Sequence, residues 1–290
     1  MEIGEDIVKI ITNPDYKIRE HLKITNGQWE GRSDSMIDNI KLIKEEGLKN
    51  IKEDYLTFIL ACAYAINGNS GCHSLEKLLC EGSLHDFSED ENYHIWFQAL
   101  PLKGKSSPKL DLSFGDISRP IIENSQIVYN PPKSRNGRIC FVEMKTWKDL
   151  RTSSTGNPKY NQLAKYIRSA LILQHAGIFP EEVHVTLVTP RIFKKKPKSR
   201  LYGYKFIEYA CPEINPDNIT NDIELPIENE VIKADWIKCD MSGMIERLPF
   251  LKLHWIPYED ILDAVPENPL KDYIKKIRAK NPVFDKASGV

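Results

Sequence analysis

Arg138-Ile-Cys-Phe-Val-Glu-Met-Lys-Thr-Trp147 decides the fold. Its apolar run reads as a buried strand, and Glu143 interrupts it. Lys145 follows two residues later, so the carboxylate and the ammonium point to the same face. Burying either charge alone is costly. Burying both is reasonable if they share a polar site. Glu143-Met144-Lys145 is the only Glu-x-Lys triplet in the chain.

Working upstream, residues 109–117 read as an acidic strand, with Asp111 and Asp116 five residues apart. Strict alternation puts those two on opposite faces, unless a bulge at Gly115 intervenes. Residues 93–102 read as a further strand, 103–108 as a turn and 130–137 as a loop tip. Downstream, residues 157–177 read as a helix, with Asn157 as cap, Pro158 in the first turn and Gly177 as the stop. Leu163, Tyr166, Ile167, Ala170, Leu171 and Gln174 form its stripe. The apolar residues 183–189 then form a strand, and strand–helix–strand implies a parallel pair with a right-handed crossover. Residues 201–209 and 250–256 are also expected to be strands, with short helices at 257–262 and 269–279.

The first 92 residues read as mostly helical. Residues 33–44 carry Met36, Ile37, Ile40 and Ile43 at the spacing of one helix face, with Ser33 or Asp34 as cap. A second helix spans residues 52–66, and a short third lies near 75–80. The expectation is one domain over 1–290: a helical region (1–92), an α/β core (93–209) and a C-terminal extension (210–290). The fold class is α/β, a mixed central sheet flanked by helices, with an N-terminal helical layer.

Lys+Arg (40) and Asp+Glu (41) nearly cancel, so net charge selects no partner. The longest apolar stretch, residues 55–66, is too short to span a bilayer. The N-terminus lacks an apolar signal segment, which points to a cytoplasmic protein without membrane contact. None of the six cysteines forms a Cys-x-x-Cys. Free thiols are expected; a grouping of Cys72, Cys80, His73 and His85 is the weaker reading.

Glu143 supplies one carboxylate of a hard-cation site, and an Asp on the neighbouring strand supplies another, about 5 Å away across the pair. Asp111 is favoured over Asp116. The Met144 carbonyl adds a third oxygen. Lys145 then faces the water between cation and phosphate, to orient it or take its proton.

Asp111, Glu143 and Lys145, preceded by Pro108, resemble the PD-(D/E)XK phosphodiesterase superfamily. Gln162-Leu-Ala-Lys-Tyr166 resembles the Gln-x-x-x-Tyr signature of its RecB-like members. The resemblance covers residues 93–190. It implies a restriction-endonuclease-like core and a Mg²⁺-dependent deoxyribonuclease, with Mn²⁺ able to substitute. Asp111, Glu143, Lys145 and Gln162 would be the catalytic group, and Asp111 or Asp116 would hold metal with Glu143 and Met144. An acidic residue on a preceding helix is also implied, with Glu45, Glu46, Glu53 and Glu76 as candidates. Some RecB-like members hold an iron–sulfur cluster through four cysteines; the spacing here does not fit one. A homodimer stays open.

Lys194, Lys195, Lys196, Lys198 and Arg200 follow the last core strand closely and are expected to meet DNA phosphates. Tyr166 is counted with these DNA contacts. Arg151 and its neighbours add donors. The alternative is a catalytically silent module that binds nucleic acid or a partner on the same fold.

Overall fold

The computed structural model describes residues 2–24, 36–82, 93–101, 108–118, 127–133, 135–149, 161–210, 216–224 and 241–285. The N-terminal region contains α1 (Ile3–Thr12), α2 (Ile18–His21), β1 (Leu22–Ile24), α3 (Met36–Lys41), α4 (Glu53–Ala65) and α5 (Gly68–Leu79). The middle contains β2 (Ile95–Phe97), β3 (Leu112–Gly115), β4 (Ile117–Ser118), β5 (Val128–Tyr129), β6 (Arg138–Met144), α6 (Gln162–Ile172), β7 (Glu182–Thr189), α7 (Arg191–Lys195), α8 (Leu201–Ala210) and α9 (Pro216–Glu224). After a helix at Met241–Glu246 come β8 (Leu251–Pro257) and helices Tyr258–Asp263, Lys271–Lys280 and Pro282–Asp285.

Six strands form one mixed sheet in the order β1-β2-β3-β6-β7-β8, and β4 pairs with β5 in a separate ribbon. β3 runs antiparallel to its neighbours β2 and β6, whereas β7 is parallel to both β6 and β8. The crossover from β6 to β7 runs through α6, as the strand–helix–strand pattern implies. One sheet therefore draws strands from all three stretches of the chain, with β1 at one edge and β8 at the other.

β6 is buried along its whole length. Its alternate residues feed two cores. Cys140, Val142 and Met144 join the core built by α4 and α5, while Ile139 and Phe141 join the core built by α6. A strand covered on both faces reads as a continuous apolar run, hence the density of Ile, Val and Phe here. α4 is buried from Leu56 to Ala65, as expected of a helix that is apolar all round. The C-terminal segment closes over it: Tyr64 donates to the Ile261 carbonyl at 2.9 Å, and the Thr57 and Tyr258 hydroxyls lie 3.1 Å apart.

Four sequence expectations change. Residues 201–209 are a helix, not a strand. Tyr202, Phe206 and Tyr209 fall on one buried helical face, and the Asp149 carboxylate caps the helix by accepting from Leu201 N (2.7 Å) and Tyr202 N (3.1 Å). Residues 109–117 are not one strand. β3 ends at Gly115, and Ile117 pairs instead with Tyr129. α6 begins at Gln162 under an Asn161 cap, whose side chain accepts from Ala164 N at 2.9 Å, and it ends at Ile172. Asn157 and Pro158 lie outside the described residues, as do Ser33 and Asp34. The third N-terminal helix is longer than expected and starts at Gly68. No helix among the described residues is long and apolar enough to cross a membrane.

Candidate active site

The register of β3 against β6 pairs Leu112 with Val142, so the preceding Asp111 sits opposite Glu143. Asp111, Glu143 and Lys145 project to the same side of the sheet, toward α6. Asp111 is anchored by accepting from Met144 N at 2.7 Å. Glu143 is fully buried and forms a direct ion pair with Lys145. Gln162, the first residue of α6, donates from Nε2 to Glu143 Oε2 at 2.9 Å. The Tyr166 hydroxyl, one turn on, donates to the Lys109 carbonyl at 2.8 Å and also lies against the Glu143 carboxylate. Residues four apart on a helix share a face, and here both meet one carboxylate.

Glu53, at the first turn of α4, completes the group. It lies 3.3 Å from Lys145 Nζ, and its second oxygen accepts from Thr146 N at 2.7 Å. Of the four acidic candidates it is the one brought to the site. Glu45 pairs with Lys280, Glu76 with Arg138, and Glu46 is exposed. Which helix terminus meets the end of β6 is a tertiary matter that sequence spacing does not encode. Glu53, Asp111 and Gln162 are partly exposed and form the outer side of the group.

Charge is unevenly balanced. Burial pushes the Asp111 carboxyl well above its ordinary range, and the neighbouring Glu143 pushes it further. Burial also raises Glu143, against the pull of Lys145. Burial alone would lower Lys145, but Glu143, Asp111 and Glu53 outweigh it and raise its pKa. Lys109 adds a second ammonium near Asp111, and Asp54 a further carboxylate beside Lys109. Four carboxylates thus face two ammonium groups.

That surplus of carboxylate oxygens suits a hard divalent cation such as Mg²⁺. So does the Gln162 Oε1 atom, which is buried and finds no hydrogen-bond partner among the described residues. The residues present fit the ion: Asp111, Glu143 and the Met144 carbonyl would hold it.

Asp116 does not join them. Arg135 grips its carboxylate through both terminal nitrogens (2.7 and 2.8 Å), and Arg138 N donates to it at 2.8 Å. It lies opposite Arg138, about 16 Å along the strand from Glu143 at ~3.3 Å per residue. Gly115 lies between the two aspartates at φ +97°, and a Cβ there would sit 2.4 Å from the Arg138 carbonyl oxygen. Asp116 is a structural anchor at the far end of β3, and this corrects its place as a possible metal ligand.

The expected phosphate contacts divide. Lys195, Lys196 and Lys198 are exposed, on and just after α7. The run forms a short helix and a 3₁₀ turn. Lys194 donates to the Trp255 carbonyl, and the Arg200 guanidinium stacks 4.9 Å from the Phe193 ring centroid. Tyr166 is buried beneath Glu143, so its expected contact with DNA is corrected to support of the carboxylate. Arg151 lies outside the described residues.

Of the sequence grouping Cys72, Cys80, His73 and His85, the three described residues do not converge on one point. The Cys72 thiol faces the His21 carbonyl, and His73 packs edge-on against Tyr93. His85 lies outside the described residues. Comparison of the chain with protein-family models, with curated proteins and with solved structures found no match.

Proposed function

We propose that this chain is a Mg²⁺-dependent nuclease hydrolysing DNA phosphodiester bonds, on a restriction-endonuclease-like core. The observation that carries the reading is the meeting of Asp111, Glu143, Lys145 and Gln162 from two strands and a helix at one partly exposed point. The order helix, three antiparallel strands, helix, parallel strand, from α5 to β7, supports the finer fold reading.

When bound, Mg²⁺ supplies Lewis-acid polarisation of the phosphoryl oxygens and a more acidic water. The chain supplies the rest. Asp111 and Glu143 face each other across the β3–β6 pair, which fixes the spacing of their oxygens. Gln162 and Tyr166 hold the Glu143 carboxylate in one orientation. Gln162 Oε1 is left to accept a hydrogen bond from a water. Lys145 Nζ, held between Glu143 and Glu53, orients a water toward the scissile phosphorus and stabilises charge on the phosphoryl oxygens. Lys195, Lys196 and Lys198 contact the backbone of the polymer without reading its sequence.

The test is cleavage of plasmid, linear and single-stranded DNA with Mg²⁺, with Mn²⁺ and with neither. Lys145→Ala is expected to slow cleavage by roughly 10²- to 10⁴-fold, while the DNA dissociation constant stays within a few-fold of wild type. Metal-dependent cutting that persists undiminished in Lys145→Ala, with contaminating nuclease excluded, defeats the assignment.

One observation favours a second reading. Lys145 is already saturated by Glu143 and Glu53, as in a self-contained structural network. A catalytically silent binding module would then give no heat with Mg²⁺ or Mn²⁺ in calorimetry, even with DNA present.

A further inference from the structure

On the opposite face of the sheet from the carboxylates, Cys80, His184 and His254 converge, all three buried, with their ligand atoms within 4.8 Å of one another. Three separate elements deliver them. Cys80 caps the C-terminus of α5, His184 lies on β7, and His254 lies on the edge strand β8. We propose that this cluster is a structural site for a thiophilic divalent cation, zinc by its ligand chemistry, bound by Cys80 Sγ, His184 Nδ1 and His254 Nε2.

The orientation of the rings carries the argument beyond proximity. His184 Nδ1 and His254 Nε2 face each other at 2.9 Å, across rings stacked 13° from parallel. Two nitrogens each ~2.0–2.1 Å from a tetrahedral ion lie about 3.3 Å apart. The pair therefore needs to open by only a few tenths of an ångström for a cation to replace the shared proton.

The outward nitrogens are equally telling. His184 Nε2 lies 3.4 Å from Glu182, and His254 Nδ1 lies 3.4 Å from Glu81. A carboxylate behind the distal nitrogen is the arrangement that fixes the tautomer and raises the basicity of metal-bound imidazoles. Here it occurs on both rings.

Cys140, hydrogen-bonded to the Cys80 thiol and 3.8 Å from Thr186 Oγ1, lies behind Cys80 and outside the three-ligand group. A thiolate with two imidazoles selects zinc over Mg²⁺, which prefers oxygen. The site therefore differs in chemistry and location from the Asp111–Glu143 centre, and it does not depend on that centre's function. A bound ion would pin the end of α5 to the two parallel strands at the edge of the sheet.

The experiment uses the full chain stripped with chelator. Zinc is titrated against a competing chromophoric chelator, and cobalt(II) is used as the spectroscopic probe. The expected result is one tight equivalent of zinc, a higher melting temperature with the metal, and a thiolate-to-cobalt charge-transfer band. Cys80→Ser should abolish the band, whereas Asp111→Asn should leave it intact. Glu81 is 52% exposed, so Glu81→Gln should fold normally, and it is expected to weaken zinc binding roughly 10-fold. Sub-stoichiometric zinc binding by the wild type overturns the site. So does a cobalt spectrum without the thiolate band, or one whose band survives Cys80→Ser.

Discussion

Asp111 shows how a single residue trades stability against chemistry. Its carboxyl is forced close to Glu143, and both are burdened by burial. Asparagine keeps the acceptor for Met144 N and removes one of the opposed charges. Asp111→Asn is therefore expected to stabilise the metal-free protein by about 1–2 kcal/mol, a rise of a few degrees in Tm, and to abolish cleavage. Calorimetric melting of both proteins in chelator checks the first part, and a plasmid assay checks the second. A lower Tm for the variant contradicts the charge argument. Asp111 was the favoured aspartate from sequence because it enters an apolar run, and the register places it opposite Glu143. Glu53 was only one of four candidates. Nothing in a helical stretch of sequence records which strand end its first turn will meet.

At the scale of elements, α5 and β6 are tied by a buried pair with a pH signature. Burial raises the Glu76 carboxyl to about 7, against the opposing pull of Arg138, which lies 3.4 Å away. The native state therefore holds this proton more tightly than the unfolded chain, whose carboxyl titrates near ~4.3. The stabilising contribution is full below that value and is lost as pH rises to about 7. Relative to Glu76→Gln, the wild type is expected to lose about 3 kcal/mol of unfolding free energy between pH 4.5 and 8. Urea melts across that range measure it, and parallel profiles for the two proteins would refute it. The elements themselves were unequally legible. β6, α6 and β7 could be read from their apolar period, although α6 is shorter than expected and is capped by Asn161. α8 was misread because Tyr, Phe and Ile favour strands by propensity. Its helical spacing and its cap from Asp149, 52 positions earlier, prevailed in the fold. β1 is three residues long and gains its identity only by pairing with β2.

Across the whole molecule, near-zero net charge hides an exposed basic run beside the last core strand. If Lys195, Lys196 and Lys198 each neutralise a phosphate, replacing all three with Ala should reduce the salt slope of DNA binding by about 2.7, at roughly 0.9 per contact. Metal dependence should not change. Filter binding from low to moderate salt checks this, and an unaltered slope removes the run from the interface. The sheet's outer strands have a different bearing, because β1 and β8 lie some 230 positions apart. During synthesis the flank of β7 stays bare until residues 251–257 leave the ribosome. A nascent or prematurely terminated polypeptide ending near 240 would display an eight-residue strand, half of it aliphatic, with open backbone amides, a template for intermolecular strand pairing. The cell would therefore meet the incomplete product chiefly as a chaperone client or as an aggregate.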